Sequence, residues 1–483
     1  MNSITNPTVI VGAGFTGLFT ALHLRHQQFV QSIILIDAQS RFVFKPMLYE
    51  FLTGELPEDT VCPTYQELLT GSDITFEQDR VVGIDLKQKR IDLASGKNYT
   101  FSHLVLAVGS NQGYLGTTGA EEHAYPFRSR EDVLGLKQQI QICLLKASQT
   151  TDEQKRRSLL TFAIVGAGPT GVEMAATLAD LLPNWYAKQG GDIHEIRIVL
   201  LNHGKEILQG DVNASLKEIA LHSFHTRTIP VELRMGVSVK AVSADQLEFQ
   251  PVDSSTLETL STHTTIWTAG TTVNPLLKSL AAQIPADHLD KHGLPLVTPT
   301  LQLLDFPSVF AAGDCADVQE HRQPALAQVA YQQGAAIAHN IIALHKGKPL
   351  QPAHVSLRGT LMKLGLGNGV ANLFDKMQIG GKPGDLIRSA TYLEMLPTPL
   401  HNFKATKEWI QEETFHRYHR LKVAEAIPKL VLSPTERRDR PLVKALAIVA
   451  PIAFLIATII GLQTPPNEQI RPTQPNSTQP SSP

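Results

Sequence analysis

No two of the three cysteines, Cys62, Cys143 and Cys315, stand close enough in sequence to form a CxxC pair. That excludes a sequence-encoded dithiol redox centre and a four-cysteine metal site. Three scattered cysteines fit a reducing compartment. An excess of one charge is missing too: Lys+Arg is 43 and Asp+Glu is 45, a formal net charge of −2. Nucleic-acid binders usually carry a strong basic excess, so no nucleic-acid partner is expected. No Asp/Asn-rich loop closing on Glu is present, which removes EF-hand calcium control. The polar start, Met1 to Pro7, lacks a basic n-region and an apolar run, so no signal peptide is expected and the N-terminus reads as cytoplasmic. With 42% hydrophobic and 18% charged residues, a packed core is expected over general disorder.

What is present is a repeated unit. The β-branched run Thr8 to Val11 ends in Gly12-Ala13-Gly14-Phe15-Thr16-Gly17, and Leu18 to Arg25 has helical spacing. A second apolar run, Ser32 to Ile36, closes on Asp37, twenty residues beyond Gly17. This is strand, glycine turn, helix, strand. Such a turn lets a backbone approach a pyrophosphate, the helix N-terminus offers free N–H groups, and the distal carboxylate can accept from ribose hydroxyls. The unit returns at Leu160 to Val165, followed by Gly166-Ala167-Gly168-Pro169-Thr170-Gly171, a helix over Val172 to Leu182 and a strand over Ile196 to Leu201. Two dinucleotides in one chain point to a redox enzyme joining a flavin and a nicotinamide cofactor. Glu131 to Ala147 is expected to be helical and the polar stretch Gln149 to Arg157 to be a boundary. The implied fold class is α/β, with two Rossmann-like units.

In the order of these motifs the chain resembles the two-dinucleotide-domain flavoproteins, and within them the type II NAD(P)H:quinone oxidoreductases, over roughly residues 8 to 410. Ala107-Val108-Gly109 resembles the ATG-like turn of such flavoproteins, Val309 to Asp314 their late flavin motif, and Trp267 to Gly270 the turn near the nicotinamide domain's exit. Pro324 to Gln333 is similar to the Ala-Gln-x-x-x-Gln helix beside the quinone and flavin ring, and Arg41 to Glu50 to the flavin-side loop of a cyanobacterial and plastid branch. The resemblance implies that FAD is held by Gly12, Gly14, Phe15, Thr16, Gly17, Asp37, Arg41, Lys45, Pro46, Val81, Ala107, Gly109, Gly313, Asp314, Ala327 and Gln328. It implies NADPH or NADH on Gly166, Gly168, Pro169, Thr170, Gly171, Asn202 and Gly270. Gln328 and Tyr331 would face the quinone. Glu173 has two open readings: a carboxylate at the nicotinamide–flavin junction that helps proton delivery, or a first-turn acid favoured by the helix dipole. Asn202, with His203 and Lys205 nearby, lacks the carboxylate that repels a 2′-phosphate, so NADPH acceptance is expected; ribose bonding to NADH is the competing reading.

The branch resemblance implies demethylphylloquinone, another naphthoquinone or plastoquinone as acceptor. The expected domains are 1–125 with 290–345 for FAD, 126–289 for NAD(P)H and 346–441 for membrane association. An apolar anchor at 442–462 and a disordered tail at 463–483 follow. Leu442 to Leu462 carries only Lys444 as a charge, Arg437, Arg438 and Arg440 precede it, and Ala445 to Leu462 is just long enough to span a bilayer. Pro399 to Ile427 is a candidate interfacial stretch. The expected location is the cytoplasmic face of a thylakoid or plasma membrane. A lipid bilayer and a membrane quinone are the expected partners, and a homodimer is compatible. No metal is expected. The competing functions are a reductase of a soluble acceptor and a redox-sensing flavoprotein.

Overall fold

The strand Thr8–Val11 is buried along its whole length, and it pairs in parallel with Ile33–Asp37 on one side and His103–Leu106 on the other. A strand buried on both faces needs a near-continuous apolar run, which explains why these segments do not alternate. In this computed structural model residues 6–210, 214–319, 322–357, 359–373 and 377–413 are described. The first sheet has eight strands in the order Asp317–Val318, Leu296–Val297, Gln302–Leu303, Phe306–Ala311, His103–Leu106, Thr8–Val11, Ile33–Asp37, Ile74–Gln78. Its members come from two distant parts of the sequence. The helix Phe15–His26 lies against the helix Ala327–His345, and Thr20 Oγ donates to Gly334 O at 3.1 Å. A Cβ on Gly334 would meet Thr16 O at 2.6 Å, so this crossing requires glycine.

A second sheet runs Val231–Met235, Arg197–Asn202, Thr161–Val165, Thr264–Trp267, Tyr125–Pro126, with all its pairings parallel. Ala163, Val165, Val199, Leu201 and Trp267 pack there with Val237, Leu247 and Phe249 of an antiparallel three-stranded sheet. The indole N–H of Trp267 donates to Gly113 O at 3.0 Å and Ala269 O at 2.8 Å, so its burial leaves no polar atom unmet. A two-stranded antiparallel ribbon, Ser110–Gln112 against Thr271–Val273, joins the two sheets. The strands Gly359–Lys363, Gly369–Leu373 and Met377–Gly380 form a further small sheet, covered by the helix Gly381–Glu394.

The helix expected over Glu131 to Ala147 runs Arg130–Gln149. The polar stretch Gln149 to Arg157 carries the start of a second helix, Glu153–Leu159, because Asp152 Oδ1 accepts from Gln154 N and Lys155 N at 3.0 Å each. Among the described residues no helix is long and apolar enough to cross a membrane. The apolar run 442–462, the tail 463–483 and the part of 399–427 beyond 413 lie outside the described residues. The helix Pro399–Gln411 buries His401, Ala405 and Trp409 and exposes Leu400 and Phe403 at 79% and 73%.

Candidate active site

The first glycine turn is built by close packing. Gly12 has φ +94°, and a Cβ there would meet Ala107 O at 2.4 Å, which brings Ala107 and Gly109 beside the turn. A Cβ on Gly17 would meet Gly12 O at 1.8 Å, whereas one on Gly14 would meet nothing within 4 Å. The helix therefore presses on the strand at Gly17 and faces open space at Gly14. No side chain caps this helix, so the N–H groups of its first turn, at Phe15 and Thr16, remain for an anion. Asp37 Oδ2 accepts from Ala13 N at 2.7 Å and Oδ1 from Gln39 N at 2.9 Å, while burial raises its pKa. Phe15 packs on Phe42 and Phe44 at 5.2 and 5.3 Å. These features fit a dinucleotide pyrophosphate and ribose, so the site suits FAD.

The remaining residues of this half are placed unequally. Gly313, at φ +73°, lies so near Thr16 that a Cβ would meet its Oγ at 2.7 Å. Gly313 N donates to Gln333 Oε1 at 2.8 Å, and Ser110 Oγ donates to Asp314 Oδ2 at 3.0 Å. Ser110, Gly313, Asp314 and Gln333 line a cavity of about 180 Å³. Arg41 is engaged elsewhere: its Nη1 donates to Asp59 at 2.8 Å and Cys62 O at 2.7 Å. Val81 is buried at the start of the strand Val81–Asp85, two residues after Asp79, whose N–H donates to Asp37 O. Ala327 opens the helix that carries Gln333. On that helix Gln328 Nε2 donates to Gly359 O at 3.2 Å, and the Tyr331 ring packs edge-on against Phe19 at 4.7 Å. The helix thus turns Gln333, which sequence reasoning missed, toward the late flavin motif.

The second turn repeats the first. A Cβ on Gly171 would meet Gly166 O at 1.8 Å, Pro169 is the first helical residue after Gly168, and again no side chain caps the helix. Where Asp37 receives Ala13 N, Asn202 Oδ1 receives Ala167 N at 3.1 Å. The Asn202 amide nitrogen donates to Gly204 O and Glu206 O, which fixes its orientation. Gly270 has φ +74° and lies against Leu115. The second turn is met by the helix Leu48–Thr53, which follows the short turn Lys45–Met47: Tyr49 OH donates to Thr170 O at 3.1 Å.

Beside that link lies a charge cluster that no motif announces. Lys363 Nζ contacts Glu50 at 3.0 Å and Glu55 at 2.8 Å, and Arg388 Nη1 contacts Glu50 at 2.6 Å. Lys363 and Arg388 are 1% and 0% exposed. Burial alone would raise the Glu50 pKa, but Arg388 and Lys363 outweigh it and hold it at about 2. Arg388 Nη2 also donates to Pro46 O at 2.7 Å, which pins the loop bearing Lys45 and Pro46. Glu173 receives Lys363 N at 2.7 Å. Burial pushes its carboxyl up to about 7, against the pull of Arg388 and the Lys363 N–H. The thiols are inert by contrast. All three cysteines are free and buried, and burial raises Cys62 to about 12, Cys315 to about 11, and Cys143 as well.

Comparison with known proteins places this geometry. The model of the pyridine nucleotide-disulphide oxidoreductase family matches residues 6–334. Demethylphylloquinone reductase NdbB of Synechocystis sp. is 32% identical over 83% of this chain and 95% of its own. A type II NADH:quinone oxidoreductase, Ndh, of Mycobacterium tuberculosis is 31% identical over 69% of this chain and 72% of its own. NDH2 of Plasmodium falciparum, solved in complex with NADH, shares the fold with a TM-score of 0.76 at 18% identity, over 86% of this chain and 99% of that one. The chain belongs to the pyridine nucleotide-disulphide oxidoreductase family, grouped with its type II NADH:quinone oxidoreductases.

Proposed function

We propose that the chain is an FAD-dependent NAD(P)H:quinone oxidoreductase. The observation that carries this is the pair of uncapped glycine-turn helices, with Tyr49 bonded to the second turn at Thr170 O and the neutral-range carboxyl of Glu173 beside that bond. When bound, FAD accepts a hydride from the dihydronicotinamide and yields two electrons to an acceptor. With every described thiol buried and held protonated, a cysteine relay is not available, which favours a quinone as acceptor.

The chain's own residues bind, orient and supply protons. The turn Gly12–Gly17, with Asp37, Lys45, Pro46, Ala107, Gly109, Gly313 and Asp314, would hold FAD. The turn Gly166–Gly171, with Asn202 and Gly270, would hold the nicotinamide dinucleotide. Glu173, poised near neutrality, holds a proton that the quinone side can draw on. Asn202 places a neutral amide where a carboxylate would repel a 2′-phosphate, so the donor includes NADPH as well as NADH. The quinone is of the naphthoquinone or plastoquinone class, in keeping with the Synechocystis relative, a demethylphylloquinone reductase. Exposed Leu400 and Phe403, beside Lys404 and Lys407, support contact with a bilayer surface, and 442–462 supplies the anchor. We assign the strands before residue 125 and between 290 and 345 to the FAD domain, those of 126–289 to the NAD(P)H domain, and 346–441 to the membrane-associating region.

The test is turnover of NADPH and NADH by the flavin-loaded protein with a naphthoquinone, a plastoquinone analogue or a disulfide as acceptor. Quinone-dependent oxidation without disulfide reduction is expected. Disulfide reduction without quinone turnover would overturn the assignment.

A further inference from the structure

Arg128 follows the edge strand Tyr125–Pro126 of the second sheet and precedes the helix Arg130–Gln149. Its backbone N–H and that of Ser129 both donate to Asp132 Oδ2, at 2.8 and 2.9 Å, so that carboxylate is committed to the helix start. The Arg128 side chain turns back to the ribbon between the sheets. Its Nη2 donates to Ser110 O at 3.0 Å and to Ser110 Oγ at 2.8 Å, and Ser110 Oγ donates onward to Asp314 Oδ2. Lys45 opens the short turn Lys45–Met47, and its charge is felt with those of Arg128, Asp314 and Asp132. Its side chain is solvent-accessible yet walled by protein, which is how a group in a cleft is at once reachable and desolvated. Burial and Arg128 lower its pKa, against Asp314 and Asp132; burial likewise lowers that of Arg128. Among the described residues no carboxylate lies within ion-pair distance of either cation. Two cations thus stand around one cavity-lining carboxylate, Asp314.

We propose that Lys45 and Arg128 tune the reduction potential of the bound flavin by placing positive charge beside its ring. The proposal rests on the FAD reading above. A ring that takes up two electrons and one proton gains one negative charge, and nearby cations favour that form. The other anionic part of the cofactor, its pyrophosphate, is already served by the uncapped helix start at Gly14 to Thr16. Arg128 also enters from the second sheet's edge. It therefore acts where the two dinucleotide units meet, which is where the reactive rings must come together. Lys45 is the direct partner; Arg128 also positions Asp314 through Ser110.

The experiment is a potentiometric titration of flavin in the holoenzyme, with FAD affinity measured in parallel, for wild type, Lys45→Gln, Arg128→Gln and Arg128→Lys. Lys45→Gln should shift the reduced-to-oxidised balance at fixed potential by about tenfold toward oxidised, a midpoint about 30 mV lower for a two-electron couple. Arg128→Gln should move it the same way, and Arg128→Lys, which keeps the charge, should restore most of the shift. Oxidised FAD should bind the two Arg128 variants about as tightly as wild type; the Lys45 variant, whose residue also helps hold FAD, is titrated with its flavin saturated. A loss of FAD affinity with an unchanged midpoint would make the cations a phosphate clamp and overturn the proposal, as would unchanged values of both. Wild-type protein without FAD would overturn the flavin reading itself, and this proposal with it.

Discussion

Two glycines of the first turn differ in what they face, and this separates packing from ligand contact. A Cβ on Gly17 would lie 1.8 Å from Gly12 O, so Gly17→Ala must push the helix off the strand. Flavin content of the purified variant should then fall severalfold. Gly14→Ala meets no protein atom, so any loss of flavin there, with an unchanged melting temperature, reports the cofactor alone. Glu173 has a protonation change near neutrality. If it supplies a proton, turnover with quinone falls as pH rises through about 7. Glu173→Gln should lower kcat by about 10² and abolish that limb. A variant that keeps the limb would remove Glu173 from the proton route. Asn202→Asp tests donor choice: a carboxylate facing a 2′-phosphate at an effective dielectric near 20 costs several kcal/mol. The kcat/KM ratio of NADPH to NADH should therefore drop by about tenfold or more.

At the scale of elements, the buried charges fasten three segments distant in sequence. Glu50 on the helix Leu48–Thr53 meets Lys363 at the end of the strand Gly359–Lys363 and Arg388 on the helix Gly381–Glu394. Removing one member of a buried ionic set leaves uncompensated charge and costs about 3–5 kcal/mol. Glu50→Gln should lose about that much in urea denaturation at neutral pH; a loss near zero would mean the cluster is solvated. The Glu50 pKa, about 2 when folded, lies below its ordinary value of 4.5, so its contribution is present above pH 4.5. It is lost as pH falls from there through 2. None of this was legible in the sequence. Glu50 and Arg388 are 338 residues apart, and only the tertiary fold brings them together. The glycine turns were legible because strand, turn, helix and terminal Asp37 lie within thirty residues and follow local rules. Gln333 was missed for a subtler reason. The same helix carries Gln328, Gln332 and Gln333, and only rotation about its axis decides which reaches Gly313. The helix start within the polar stretch at 149–157 was not legible because Asp152 reads equally as a linker residue and as a helix cap.

For the whole molecule, the eight-stranded sheet draws strands from both ends of the second unit, so the two glycine-turn units are held by one ribbon and one face. Tyr49, on the helix Leu48–Thr53 of the first unit, bonds the second uncapped helix start at Thr170 O. That arrangement suits two dinucleotides whose reactive ends meet. The acceptor must come from elsewhere, and the exposed Leu400 and Phe403 with the apolar run 442–462 suggest a membrane. Full-length protein should co-sediment with lipid vesicles. Deleting 442–483 should weaken that binding, and adding Leu400→Ser and Phe403→Ser should weaken it further. Unchanged sedimentation after all three changes would remove the membrane from the account.

The central claim is tested most directly by anaerobic stopped-flow of the flavin-loaded protein. NADPH or NADH is mixed first, and a naphthoquinone or plastoquinone analogue second, while flavin absorbance is followed. The account predicts bleaching by the nicotinamide cofactor and rapid recovery on addition of the quinone. Bleaching that the quinone does not reverse would contradict it.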